Sequence, residues 1–136
     1  MEVKVESKIG QLRTDHGRIY TFLSDCNNFQ QFAANDKVKN WQSDSDSCSF
    51  TVDGAGDVAF RIVERRHGEL VKFSIENAQA ENIFLWVQLK SVQPYDTRIK
   101  LTTKLDANPM LRMFISKPLK QGLDKIVETL EKICQQ

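Results

Sequence analysis

The chain opens on strict alternation. Val3, Val5, Ser7 and Ile9 share one parity, and Glu2, Lys4, Glu6 and Lys8 share the other. A period of two with one charged face predicts a half-buried strand over residues 2–12. Thr14-Asp15 then supplies side-chain oxygens for a helix cap, and Ile19, Phe22 and Leu23 give a short apolar face ending near Ser24-Asp25. Asn27-Asn28 interrupts that pattern, and Phe29, Phe32 and Ala33 predict a further helical turn or two. From Lys37 the period returns to two. Short strands are predicted over residues 38–41 and 48–52, either side of a polar turn at 43–47. Val58, Phe60 and Ile62 alternate with Ala59, Arg61 and Val63, and Val71, Phe73 and Ile75 alternate with Lys72, Ser74 and Glu76. Strands over 83–92 and 98–105 follow, joined across Gln93-Pro94-Tyr95-Asp96. Connections this short join antiparallel neighbours, because parallel strands need long crossovers.

The final stretch changes period again. Asn108-Pro109 is a strong helix start, with Asn as N-cap and Pro at the first helical position. Leu111, Ile115, Leu119, Leu123, Ile126, Leu130 and Ile133 then recur at spacings of three and four. They predict a helix over residues 108–134, roughly 37 Å long at 1.5 Å per residue. Such a stripe needs a partner surface of matching length, and the preceding strands offer one apolar face. The expected architecture is α+β: a curved antiparallel sheet of about seven strands gripping the long C-terminal helix, with two short helices after the first strand. A twisted sheet bent around a helix rarely closes fully, so a cavity between them is expected.

Composition narrows the function classes. A length of 136 residues predicts one domain over residues 1–136, and 40% apolar with 27% charged residues is ordinary for a globular chain. Lys+Arg 19 against Asp+Glu 18 leaves a net charge of +1, which provides no global basic field for nucleic acid or membrane. No apolar run approaches the ~20 residues of a membrane span, so no integral membrane association is expected. The N-terminus reads as a strand and not as a signal peptide. Cys26, Cys48 and Cys134 are odd in number and form no CxxC pair. Free thiols in a cytoplasmic protein are expected, with neither a disulfide framework nor a zinc site.

The order of elements resembles the START/Bet v 1-like (SRPBCC, polyketide cyclase-like) helix-grip superfamily, over essentially the whole chain. The resemblance rests on Ser7-Lys8-Ile9 leading to Thr14-Asp15, Phe22-Leu23-Ser24-Asp25, Asn40-Trp41, Ser49-Phe50 and Gly54-Ala55-Gly56. Leu85-Trp86-Val87-Gln88-Leu89, Asn108-Pro109-Met110-Leu111 and Lys117-Pro118-Leu119 complete it. None of these is a catalytic motif. The resemblance implies a hydrophobic cavity between sheet and terminal helix, used for lipids, sterols, polyketides or hormones, with a minority of enzymes. Fold alone does not choose among those uses.

Several apparent motifs reduce to structure. Gly54-Ala55-Gly56 lacks phosphate-loop spacing and precedes a strand, so it reads as a hairpin turn. The acidic stretch 43–46 lacks EF-hand spacing and reads as a solvated turn. His16 and His67 fall on different elements, with no second ligand or catalytic partner nearby in sequence, and Tyr20 and Tyr95 add no spacing signal. No metal or cofactor is expected.

The candidate cavity wall is Phe60, Phe73, Trp86, Met110, Met113, Phe114 and Leu123, with Gln88 and Thr103 as polar contacts. Two registers stay open for strand 83–92: either Phe84, Trp86 and Gln88 face the helix, or Leu85, Val87 and Leu89 do. Pro118 predicts a bend in the helix, read either as a static kink or as a hinge over the pocket. Arg112, Lys117, Lys120 and Lys125 make the first half of this helix basic, opposed only by Asp124. The expected function is non-catalytic binding or transport of a hydrophobic small molecule, as a monomer or weak homodimer. Two alternatives stand beside it. A cyclase/dehydratase-like enzyme would use a titratable pair such as one including Asp25 or Asp106, and a cochaperone-like interaction module would show an exposed apolar patch such as Trp41 with an outward aromatic strand.

Overall fold

The computed structural model describes residues 2–33 and 37–135. Its elements follow the expected order with one addition. The first strand is two: β1 (Glu2–Glu6) and β2 (Gly10–Leu12). Then come α1 (His16–Leu23) and a 3-10 helix (Cys26–Ala33). The strands β3 (Val38–Ser43), β4 (Ser47–Val52), β5 (Gly56–Arg66), β6 (Leu70–Asn77), β7 (Ala80–Gln93) and β8 (Asp96–Asp106) follow, and α2 (Pro109–Ile133) closes the chain. All eight strands form one antiparallel sheet, ordered β1-β8-β7-β6-β5-β4-β3, with β2 also paired to β8.

The break in the first strand has a definite cause. The Ser7 N–H donates to the Leu101 carbonyl at 2.8 Å, and the Leu101 N–H donates to Ser7 Oγ at 2.9 Å. A side-chain oxygen thus replaces a main-chain acceptor, and Ser7 Oγ in turn donates to the Lys8 carbonyl at 2.7 Å. The ladder resumes only at Gly10, opposite Ile99. Parity is lost across the break, so Ile9, expected on the inner face, is 67% exposed.

Main-chain N–H groups along this outer edge of the sheet are taken by α2. Lys8 N–H donates to Asp124 Oδ1 at 2.7 Å and Gln11 N–H to Glu131 Oε2 at 3.0 Å, while Lys8 Nζ lies 3.3 Å from Glu128 Oε1. Lys120 Nζ, 2.8 Å from Asp124 Oδ2, and the Lys8 N–H hold the Asp124 carboxyl below its ordinary range. Gly10 lets the helix approach closely, because a Cβ there would collide with Val127 Cγ1.

α2 begins as the sequence indicates. Asn108 Oδ1 accepts from the Leu111 N–H at 2.8 Å, and Pro109 occupies the first position. The helix is assigned without interruption through Pro118. Proline lacks the N–H that would bond the Phe114 carbonyl, and Phe114 is 70% exposed, so water can serve that oxygen. The fully buried positions of α2 are Leu123, Val127 and Leu130. Of the expected stripe, Leu123 and Leu130 are buried and Leu111, Ile115 and Leu119 are partly buried against the core, whereas Ile126 and Ile133 are both 40% exposed and Val127 takes the buried place beside Ile126. Among the described residues α2 packs mainly on β1, β2 and β8, along one side of the sheet.

Two substitutions test this seat. Gly10→Ala should destabilise by about 1–3 kcal/mol through overpacking, and adding Val127→Ala should cost less than the sum of the two single changes. Urea unfolding of the four-member cycle measures this. Asp124 has a folded pKa below its unfolded one, so its contribution is present above the unfolded value and lost as pH falls through the folded one. The melting temperature should therefore drop as pH is lowered below about 4, and less steeply in Asp124→Asn.

Candidate functional site

Hairpin register settles which side chains face inward. Leu85 opposes Phe73 and Thr103, and Val87 opposes Val71 and Leu101, so Leu85, Val87 and Leu89 take the concave face and are buried. Phe84, Trp86 and Gln88 therefore stand on the outer face. There Lys72 Nζ sits 4.7 Å from the Phe84 ring centre and 5.0 Å from that of Trp86. Lys104 Nζ lies 5.7 Å from the Trp86 ring, and Gln88 Oε1 accepts from the Thr102 hydroxyl at 3.0 Å.

On the concave side, beyond the area α2 covers, an apolar cavity of about 220 Å³ remains. Its floor comes from Phe50, Phe60, Phe73, Leu85, Val87 and Leu101 on β4 to β8. Its walls are Leu23 of α1, Phe29 and Phe32 of the 3-10 helix, Val38 and Trp41 of β3, Cys48 of β4, and Ile126 and Leu130 of α2. The rings form a continuous arc. Trp41 stacks on Phe50 with centroids 5.3 Å apart and planes at 14°, and the next steps are Phe50–Phe60 at 5.8 Å and Phe60–Phe73 at 6.0 Å. Phe73–Phe29 at 5.7 Å and Phe29–Phe32 at 6.5 Å complete it.

The 3-10 helix explains how its own residues reach the wall. With three residues per turn, positions three apart align on one face. Cys26, Phe29 and Phe32 have that spacing, and Cys26 is fully buried while the two rings are half-buried. Cys26 N–H donates to the Ser45 carbonyl at 3.0 Å, which fixes the helix against the β3–β4 turn. Cys26 and Cys48 lie side by side: the thiol hydrogen bond to Cys48, together with burial, pushes the Cys26 pKa up strongly, and the same bond lowers that of Cys48 against its burial. Trp41 Nε1 donates to Ser43 Oγ at 3.2 Å, so its polar atom is already partnered.

Of the residues expected on the cavity wall, Phe60 and Phe73 line it. Trp86 and Gln88 do not, because register turns them to the outer face. Thr103 faces inward and is buried, but its hydroxyl donates to the Phe84 carbonyl at 2.8 Å and it lies outside the lining. Leu123 is buried in the seat of α2, also outside the lining. Met110, Met113 and Phe114 point to solvent at 71%, 82% and 70% exposure. The cavity adjoins the second half of α2, not the first. Sequence reasoning missed the Phe29/Phe32 pair, Trp41 and Phe50. The spacing of three was a usable signal for the first two, and the parity shared by Phe50 and Cys48 on β4 for the last.

The other groups weighed from sequence have structural partners. Gly54 and Gly56 take φ of 86° and 81° in the β4–β5 turn. Asp44 Oδ1 accepts from the Asp46 and Ser47 N–H groups at 2.9 and 2.8 Å, which lowers its pKa, and Asp46 pairs with Arg65 at 2.7 Å. His16 lies against Gly68, and the His67 ring meets Tyr20 edge-on at 5.0 Å. Among the described residues no cluster of three or more His, Cys, Asp or Glu is arranged to hold a metal ion. Two broader hollows, of about 510 and 650 Å³, lie along β3 to β6. They are bordered largely by polar side chains such as Gln42, Ser49, Asp57 and Glu76, so they lack the convergent apolar wall of the smaller cavity.

No family model and no curated protein matches the chain. Solved structures do match its fold. Norcoclaurine synthase from Thalictrum flavum, in complex with dopamine and hydroxybenzaldehyde, superposes with a TM-score of 0.73 at 13% identity, covering 98% of this chain and 86% of that one. The protein XoxI from Bacillus cereus gives 0.74 at 10% identity, covering 98% and 95%. An uncharacterised protein from Bacillus thuringiensis gives 0.70 at 9% identity over 100% of both chains. The chain thus has the START/Bet v 1-like helix-grip fold, and at these identities the likeness is one of fold.

The thiol arrangement predicts an order of alkylation. Iodoacetamide at pH ~8 should modify half-exposed Cys134 before Cys26, whose burial and hydrogen bond hold its proton, and denaturation in urea should equalise them. Peptide mapping by mass spectrometry reads the order.

Proposed function

We propose that this chain binds a small hydrophobic molecule, without catalysis, in the cavity between the concave sheet, the 3-10 helix and the second half of α2. The observation that carries this reading is the wall itself, an unbroken arc of rings closed by Leu23, Val87, Ile126 and Leu130. Binding there is driven by removing apolar surface from water. A ligand burying roughly 200 Å² gains about 5 kcal/mol at 25 cal/mol per Å², before the entropy cost of association.

Volume limits the ligand. At about 220 Å³ the cavity lies below the roughly 300–1,000 Å³ of sites for drug-sized molecules. A single-ring compound or a short branched chain suits it better than a sterol. The norcoclaurine synthase complex with dopamine and hydroxybenzaldehyde, both single-ring molecules, supports that size class by analogy of fold. Ile126, 40% exposed, stands at the solvent edge of the wall, where a ligand would enter.

Native mass spectrometry of freshly purified protein, followed by organic extraction, tests for a carried ligand. A discrete added mass at near-stoichiometric occupancy is the expected result. The two tryptophans provide an independent test of location, since Trp41 lines the cavity and Trp86 lies on the outer face. Iodobenzene, an apolar ring with a quenching heavy atom, should quench tryptophan emission saturably in Trp86→Phe and hardly at all in Trp41→Phe. Quenching that follows Trp86 instead would place the binding surface outside the cavity and refute this reading.

A further inference from the structure

The first turns of α2 carry an apolar surface that the core does not use. Met110, Met113 and Phe114 are among the most exposed apolar side chains described, at 71%, 82% and 70%. At about 100° per residue they fall within an arc of roughly 100°, which Lys117 and Gln121 continue along the helix. The centre of this arc is about 120° round the helix from the side that buries Leu123, Val127 and Leu130. The first two-thirds of the helix carries Arg112, Lys117, Lys120 and Lys125. Its one acidic residue, Asp124, is held by the Lys8 N–H and by Lys120 at the seat of the helix.

Two partners fit an apolar helix face, and the amount of surface separates them. A stable dimer buries about 800 Å² on each partner, far more than three side chains supply. A lipid surface asks for less: a few apolar side chains reaching the acyl boundary, with cations at headgroup level. No helix of the described residues is long and apolar enough to cross a membrane, so the geometry is that of a helix lying on a surface. We propose that the exposed face of α2 from Met110 to Lys125 docks on an anionic bilayer surface, placing Met110, Met113 and Phe114 among the lipid headgroups and Lys117 and Lys125 against their phosphates. The proposal stands on this helix face and is independent of what the cavity holds.

Flotation of the full chain with vesicles tests it. The protein should float with vesicles of phosphatidylcholine plus phosphatidylserine at about 0.05 M salt, and with neither those vesicles at about 0.5 M salt nor phosphatidylcholine alone. The double variant Met113→Ser/Phe114→Ser should lower the partition constant by about tenfold or more. Lys117→Gln/Lys125→Gln should lower it several-fold and flatten its salt dependence. All four side chains are solvent-exposed, so an unchanged thermal melt is expected and confirms that the variants fold. Absence of flotation with the anionic vesicles, or flotation of Met113→Ser/Phe114→Ser equal to the parent, overturns the proposal. So does a parent dimer that the same double variant converts to monomer in sedimentation velocity, which would assign the face to a second copy.

Discussion

The structure depends on what happens to four residues near its start. Ser7 puts its hydroxyl where the ladder would use a carbonyl, and β1 gives way before β2 begins. Unpaired main-chain N–H groups at a sheet edge are costly unless something accepts from them. Asp124 and Glu131 of α2 do so, from Lys8 and Gln11. Gly10 between those two points is small enough for Val127 to rest on the strand. The helix is therefore bound by main-chain hydrogen bonds at two heights and by close packing between them. Apolar burial alone would let it slide, whereas these bonds fix its position along the strands.

That fixed position creates the cavity. Anchored on β1, β2 and β8, α2 covers one side of the concave face and leaves the portion formed by β4 to β6 to smaller elements. The 3-10 helix and β3 cannot fill that space with backbone, so they fill its margin with rings. Aromatic side chains suit such a margin because they are large and can contact one another in tilted and edge arrangements without close-packed interdigitation. The space left inside is consequently apolar on every side. Cys48 contributes the wall's one thiol, and the neighbouring Cys26 is its hydrogen-bond partner.

Local pattern made most of the elements legible, and long-range geometry decided the rest. Asn108-Pro109 marks the start of α2 within a residue, and the alternation of Val71, Phe73 and Ile75 marks β6, because caps and strand periods are set by neighbouring residues. Phe60 and Phe73 could be placed on the inner face because their partners on the other parity are Arg61, Lys72 and Ser74. Strand β7 offers no such contrast, since Phe84 and Trp86 alternate with Leu85 and Val87. Only its pairing with β6 and β8 assigns the faces, and that pairing moved Trp86 and Gln88 away from the cavity. The phase of α2 was hidden for a similar reason. Ile126 and Val127 are both apolar, and Gly10, more than a hundred positions away, selects Val127 as the buried one. The interruption at Ser7 was illegible because a serine within an alternating run carries no local sign of bonding its partner strand through its side chain.

The two halves of α2 follow from the same anchoring. Its acidic side chains, Asp124, Glu128 and Glu131, are concentrated where the helix meets β1 and β2, and they are engaged there. Its basic and large exposed apolar side chains lie mainly before them, where the helix has no strand beneath its outer side. Pro118 falls within the basic region, and its missing N–H matters least where the residue one turn back, Phe114, is exposed and water can serve its carbonyl. A helix needed only as a lid would gain from burying Met110, Met113 and Phe114 at about 25 cal/mol per Å². Their exposure beside lysines gives up that gain. Apart from Asp124, which Lys120 and the Lys8 N–H already hold, the charge on this segment is basic, and a surface rich in the opposite sign would recover both the apolar and the electrostatic contributions at once.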